Sequence, residues 1–244
     1  MYLQPNNFNI ESTTIWSFPN RGDWATHSGK YRGNWSPYVP RNLIIRYTNQ
    51  GDCVLDQFLG SGTTLIEAKL LNRNAIGIDI NPNSIIISKE NMKFQCETTS
   101  KILIKKGNAI NLDFIKDNAI DFICTHPPYA DIIKYSKDIE EDISLLSADK
   151  FIEQMELVAK ESFRVLKNMK MCAIMMGDIR KKGKVIPLGF KTMEAFIKAG
   201  FSLKEIIIKH QHNCKSTDYW KSKNNNFLLL AHEYIFVFQK FLSC

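Results

Sequence analysis

A chain of 244 residues suits one large α/β domain or two small ones. Its 44% hydrophobic and 11% aromatic content can build a substantial core and excludes a disordered chain, while a formal net charge of +7 favours a polyanionic partner. The six cysteines are scattered with no Cys-x-x-Cys pair, and no apolar run reaches the ~18 residues of a membrane helix; a reduced, cytoplasmic chain without metal or membrane is expected.

Residues 1–12 are polar and Asn-rich without periodicity, and read as a loosely held arm. Residues 13–40 carry Trp16, Trp24 and Trp35 among three prolines and three glycines, which forbid long regular structure. An aromatic loop is expected there, followed by a short helix from Pro40 to Arg46. From residue 53 strands and helices alternate. Strands are expected near 53–57, 75–79, 102–106, 119–125, 171–176 and 203–209, and helices near 63–72, 82–92, 149–166 and 189–199. In the third helix Phe151, Met155, Val158, Ala159 and Ser162 fall at helical spacing, with Ser147 and Asp149 as candidate caps. The last segment, 227–238, is a long strand. The stretch before it is too short for a crossover helix, so antiparallel pairing with its predecessor is expected. The fold class is therefore α/β: a Rossmann-like, mostly parallel seven-stranded sheet with an antiparallel last strand and helices on both faces. Residues 1–40 form an arm and aromatic loop; residues 41–244 form the main domain, with no separate second domain.

The chemistry gathers at the strand ends. Val54 to Ala68 runs from an apolar strand through a turn with Gly60 and Gly62 straight into a helix. Two glycines let a backbone approach a ligand closely, and the helix start offers free N–H groups, backed by the hydroxyls of Thr63 and Thr64. Ile76 to Asp79 is a second strand ending in an acid, the position that meets ribose hydroxyls in doubly wound sheets. A Gly-x-Gly turn alone is weak evidence. It gains weight from His126-Pro127-Pro128-Tyr129, directly after the apolar run 119–125. In a parallel sheet the Gly60–Gly62 loop, Asp79, Asn108 and His126–Tyr129 all share one edge.

This pair of motifs resembles the S-adenosylmethionine-dependent amino-methyltransferases of DNA. That family joins an Asp-Pro-Phe-x-Gly-Ser-Gly-Thr-Thr loop to an (Asp/Asn/Ser)-Pro-Pro-(Tyr/Phe/Trp) loop. The resemblance implies S-adenosyl-L-methionine as cofactor, with residues 41–244 as the catalytic methyltransferase domain. It implies that Trp35 and Pro37 belong to a segment covering the methionine end, that Phe58 faces the methionine portion, and that Asp56 orients the glycine loop. Asp79 takes the ribose, and Asn108, standing where the family usually has Asp, reads the adenine. The Pro127 carbonyl and the His126 side chain accept the two N–H groups of an exocyclic amine, and Tyr129 stacks on a flipped base. His126 departs from the family's Asp, Asn or Ser and accepts a hydrogen bond only when neutral, so activity is expected to fall as pH drops through ~6.5. Neutral acceptors are commoner in cytosine-N4 members, which favours cytosine-N4 over adenine-N6. No Pro-Cys dipeptide is present, which sets a cytosine-C5 enzyme aside.

Double-stranded DNA is the expected partner. Its contacts are expected from Arg21, Trp24, His27 and Arg32 in the aromatic loop, from Lys181, Lys182 and Lys184 in a basic cluster after the 171–176 strand, and from Lys215, Trp220 and Lys221. His210, His212 and Cys214 alternate without a fourth ligand, so no metal site is expected there. The resemblance further implies a homodimer and a cognate restriction endonuclease as partners, within a restriction–modification system. Two alternatives remain: an RNA amino-methyltransferase of the tRNA guanine-N2 type, and a non-catalytic cofactor-binding recognition subunit.

Overall fold

The computed structural model describes residues 2–130, 133, 135–136, 138–213 and 226–241. In chain order the strands are β1 (Ile15–Ser17), β2 (Cys53–Asp56), β3 (Asn74–Asp79), β4 (Ile102–Lys106) and β5 (Ile120–Thr125). They continue with β6 (Leu166–Met176), β7 (Ile179–Lys181), β8 (Lys184–Ile186), β9 (Phe201–His210) and β10 (His232–Lys240). The helices are α1 (Tyr38–Tyr47), α2 (Thr63–Leu70), α3 (Pro82–Asn91), α4 (Ala148–Val165) and α5 (Leu188–Lys198).

Eight strands form one sheet in the order β1-β9-β10-β6-β5-β2-β3-β4. All neighbours are parallel except β10, which runs antiparallel to both β6 and β9. The antiparallel last strand is as expected. The count is eight rather than seven because Ile15–Ser17 adds a short parallel edge beside β9. Three residues amid prolines and glycines leave too little alternation to read as a strand.

Alternation along the central strands sends side chains to two apolar layers. Leu55, Ile123, Phe236 and Phe238 pack under α4 and α5 with Phe151, Met155, Val158 and Phe196. Val54, Phe122, Cys124, Ile235 and Val237 pack under α1, α2 and α3 with Leu43, Leu65 and Ile85. Every residue of β5 is buried, so its sequence is mostly apolar rather than alternating, and the one acid in it, Asp121, is paired with Lys167. In α4 the buried positions Phe151, Met155, Val158, Ala159 and Ser162 are the expected stripe. Ser147 holds the N-cap position in extended backbone, although its side chain makes no capping bond. Among the described residues no helix is long and apolar enough to cross a membrane.

The N-terminal segment departs furthest from expectation. Residues 2–12 are tied to the body: the Tyr2 carbonyl accepts from Ala25 N–H (2.8 Å), Gln4 pairs with Arg41, and Phe8 stacks on Tyr38. Trp24 and His27, expected at a DNA surface, are in the core at 1% and 7% exposure. They and Arg41 converge on Glu67 of α2, which is fully buried. Trp24 Nε1 donates to Glu67 Oε1 at 2.7 Å, His27 Nε2 lies 2.7 Å from the same oxygen, and Arg41 Nη1 lies 2.8 Å from Oε2. A buried carboxylate needs such partners, so these side chains turn inward. Arg21 is likewise withdrawn, its guanidinium donating to the carbonyls of Asn34 (3.0 Å) and Ser28 (3.2 Å). Of the four residues expected there as DNA contacts, Arg32 alone is exposed.

Replacing Glu67 by Ala strands a buried guanidinium and is expected to cost about 3–5 kcal/mol of stability. Urea unfolding of E67A measures this; a loss below ~1 kcal/mol would show that the cluster does not hold the N-terminal segment in place.

Candidate active site

Because β2, β3, β4 and β5 run parallel, their C-terminal ends open on one edge, and a cleft of about 780 Å³, counted out to its open mouth, lies there. Asp56, Phe58 and Gly60 line it from the end of β2, Asp79 from β3, Asn108 from β4, and His126 and Pro128 from β5. Tyr31, Trp35 and Tyr135 also line it. The glycine loop and the His-Pro-Pro-Tyr turn therefore share one cavity.

The loop is held by two carboxylates. Asp56 is buried and accepts from Thr64 Oγ1 (2.5 Å), Thr125 Oγ1 (2.7 Å) and Phe58 N–H (3.1 Å). Burial outweighs these donors and pushes its carboxyl up to about 6. Asp79 accepts from Gly60 N–H (2.8 Å) and Asn81 N–H (2.9 Å), and its burial likewise raises it above the usual carboxylate range. Gly60 sits at φ +52, and a Cβ there would lie 3.2 Å from the Tyr31 ring.

Several expected cofactor contacts prove to be supports. Thr64 spends its hydroxyl on Asp56, and Thr63 donates to Asn34 Oδ1 at 2.6 Å. Gly62, at φ +88, is the left-handed N-cap of α2 and packs toward Ser88. Pro37 is the residue before α1. None of these four lines the cleft, whereas Trp35, Asp56, Phe58, Gly60, Asp79 and Asn108 do. Gln57, unremarked in the sequence, also lines it. Its Oε1 accepts from Ser162 Oγ (3.0 Å), and its buried Nε2 has no partner.

His126 stacks on Trp35, with ring centroids 5.4 Å apart and planes at 23°. Its Nε2 lies 2.9 Å from Tyr129 Oη, which donates to Glu233 Oε1 at 2.7 Å; Lys209 Nζ donates to Glu233 Oε2 at 2.9 Å. Burial pushes the imidazole down to about 4 and holds the Tyr129 phenol well above its ordinary value. Burial also raises Glu233, but attraction to Lys209 prevails and keeps the carboxyl below its ordinary value. Pro127 is buried, and Tyr129 packs against Gly177, where a Cβ would sit 2.9 Å from its ring; neither lines the cleft. The expected loss of neutral His126 near pH ~6.5 is thus displaced downward by burial.

The basic cluster after β6 is a hairpin, not an open loop. Strands β7 and β8 join through Lys182 (φ 49) and Gly183 (φ 79), the positive pair that a two-residue hairpin turn requires. Lys181, Lys182 and Lys184 are exposed on it. Lys215, Trp220 and Lys221 lie outside the described residues, as does Cys214. His212 Nε2 lies 2.9 Å from Ser17 Oγ.

This sheet order with a cleft at its strand ends is the Rossmann-like fold of S-adenosylmethionine-dependent methyltransferases. One from Methanosarcina mazei aligns over 82% of this chain and 98% of its own, with a TM-score of 0.58 and 16% identity, a likeness that bears on fold alone. The model of the DNA methylase family matches residues 2–90 and 120–241, so this chain belongs to that family. A second model, for RNA cap guanine-N2 methyltransferases, matches residues 51–177. Among curated relatives, a type II methyltransferase of Methanocaldococcus jannaschii is 37% identical over 32% of this chain and 15% of its own length. A tRNA (guanine(10)-N2)-dimethyltransferase of Methanothermobacter thermautotrophicus is 31% identical over 41% of this chain and 29% of its own. The chain thus spans well under half the length of these relatives.

The cofactor is S-adenosyl-L-methionine, and the cleft fits it. A glycine backbone stands where a Cβ would crowd Tyr31, and an acid ends β3. Two measurements follow. Asp79→Ala is expected to weaken S-adenosylmethionine binding at least about tenfold by calorimetry; unchanged affinity would remove Asp79 from the site. In a ¹⁵N titration His126 is expected to stay neutral from pH ~8 to ~5.5, titrating only near 4, and a midpoint at ~6.5 would contradict its burial. Since the folded value lies below the unfolded ~6.5, neutral His126 supports the fold above that pH and withdraws support as pH falls toward 4.

Proposed function

We propose that this protein is a site-specific DNA methyltransferase that methylates an exocyclic amino group of a flipped base, cytosine-N4 ahead of adenine-N6. The observation that carries this reading is the single cleft lined by the glycine loop together with His126 and Pro128. When bound, S-adenosyl-L-methionine supplies an electrophilic methyl group. Asp79 holds the ribose hydroxyls, Asn108 the adenine and Phe58 the methionine portion, with Trp35 closing the cleft opposite.

An exocyclic amine is a poor nucleophile because its lone pair is delocalised into the base. Two acceptors fixing its N–H groups turn that lone pair toward the methyl donor, which is catalysis by position and electrostatics. Pro127 contributes its carbonyl, and neutral His126 the second acceptor. His126 also takes up the proton that the amine loses as it gains a methyl group. Tyr129, anchored through its hydroxyl to Glu233, stands outside the cleft and holds His126 in place. Arg32 and the Lys181–Lys184 hairpin form the phosphate-binding rim, with Lys215, Trp220 and Lys221 as further contacts. The protein acts in a restriction–modification system, as a homodimer alongside a cognate endonuclease.

The match to an RNA cap guanine-N2 model over residues 51–177 favours RNA as the second reading. Tritiated cofactor offered with duplex DNA, tRNA and rRNA, followed by nucleoside analysis, separates the two. N4-methylcytosine or N6-methyladenine in DNA is expected, and label confined to RNA guanine would overturn the proposal. His126→Phe is expected to lower kcat at least about a hundredfold. Neutralising Lys181, Lys182 and Lys184 together is expected to weaken DNA binding and flatten its salt slope by up to about 2.7, at roughly 0.9 per phosphate contact. An unchanged slope would remove the hairpin from the interface.

A further inference from the structure

His126 is an unusual amine acceptor because an imidazole accepts at one nitrogen and donates at the other, so its tautomer decides whether it can serve at all. The structure contains a device that makes this choice. Glu233 on β10 stands directly opposite Lys209 on β9 in the antiparallel ladder, and the ion pair between them is almost fully buried. With Oε2 occupied by Lys209, the carboxylate turns Oε1 toward Tyr129 and has no proton to give. Tyr129 must therefore donate to Glu233. A hydroxyl that has spent its proton can only accept from its other neighbour, so the 2.9 Å contact to His126 is a bond from Nε2–H to Tyr129 Oη. Nδ1 is then the nitrogen with the lone pair. No described residue donates to Nδ1, and it is not among the sealed, unpartnered atoms of the interior. The ring that carries it lines the cleft.

We propose that Glu233, held by Lys209, is a positioning residue that acts through Tyr129 to fix His126 as the Nε2–H tautomer, presenting Nδ1 as the acceptor for the substrate amine. This rests on the reading of His126 as that acceptor. It also gives the His-Pro-Pro-Tyr turn an internal logic: a side chain that can donate or accept is forced into the role that an ionised or neutral oxygen fills without help. When Nδ1 takes the amine proton, the imidazolium that forms faces the Glu233 carboxylate across the Tyr129 hydroxyl, with Lys209 as the neighbouring cation.

Glu233→Gln reverses the chain without changing its shape. Lys209 keeps the amide carbonyl, so the amide N–H₂ points to Tyr129. Tyr129 must then accept from Gln and donate to His126, moving the ring proton to Nδ1. In ¹⁵N-histidine-labelled protein at neutral pH, the wild type is expected to show a pyridine-type Nδ1 and a pyrrole-type Nε2; E233Q is expected to show the two exchanged. Its kcat for the amine substrate is expected to fall on the order of tenfold or more, with KM for S-adenosylmethionine unchanged. Tyr129→Phe, which cuts the chain, is expected to leave a mixture of tautomers. A wild-type protein carrying the proton on Nδ1 would overturn the proposal, whatever the variants do. So would E233Q keeping both the wild-type tautomer and the wild-type kcat. If the wild type shows Nε2–H and E233Q inverts it while no nucleic acid is methylated, the tautomer assignment stands and only the amino-methyltransferase reading falls.

Discussion

The site depends on one buried carboxylate. Asp56 ends β2 with three donors on it: the N–H of Phe58 in the glycine loop, the hydroxyl of Thr64 in α2, and the hydroxyl of Thr125 at the end of β5. Thr125 is the residue before His126. One side chain thus sets the loop, the helix behind it and the base of the His-Pro-Pro-Tyr turn in fixed relation. Burying a carboxylate is unfavourable, and its carboxyl is pushed up to about 6 as a result. The three donors offset that cost, and they do so only while the two loops stay in register.

A second level of control lies between the turn and the far side of the sheet. The antiparallel placement of β10 puts Glu233 and Lys209 side by side beneath the turn. Glu233 lies near the start of β10 and Lys209 near the end of β9, so their pairing brings a charged pair to the strand ends. That pair reaches His126 through a tyrosine hydroxyl. The unusual histidine and the acid on the last strand are one arrangement rather than two oddities.

Much of this was legible in the sequence because it depends on local pattern. The stripe of α4, the mostly apolar run of β5 and the glycine turn each carry a pattern or a backbone requirement that survives any tertiary context. That the two loops share an edge followed from parallel strands alone. What escaped was direction. Trp24 and His27 have the composition of a nucleic-acid surface, and only the burial of Glu67 on α2 turns them inward. Thr63 and Thr64 begin the right helix but spend their hydroxyls on Asn34 and Asp56, residues that line the cleft. The Lys182-Gly183 turn was visible as a Lys-Gly pair between two short runs but was overshadowed by the charges around it. Glu233 had a signal: a carboxylate inside the apolar segment 227–238, which the interior tolerates only with a partner.

On the proposed reading, the cleft binds the methyl donor beside an amine gripped by the His126–Tyr129 turn. A crystal structure with S-adenosylhomocysteine and a substrate duplex tests it most directly. The ribose is expected on Asp79, and the amine of an extracted base within hydrogen-bond distance of both His126 Nδ1 and the Pro127 carbonyl. A base left in the duplex, or one whose amine meets neither atom, would contradict it.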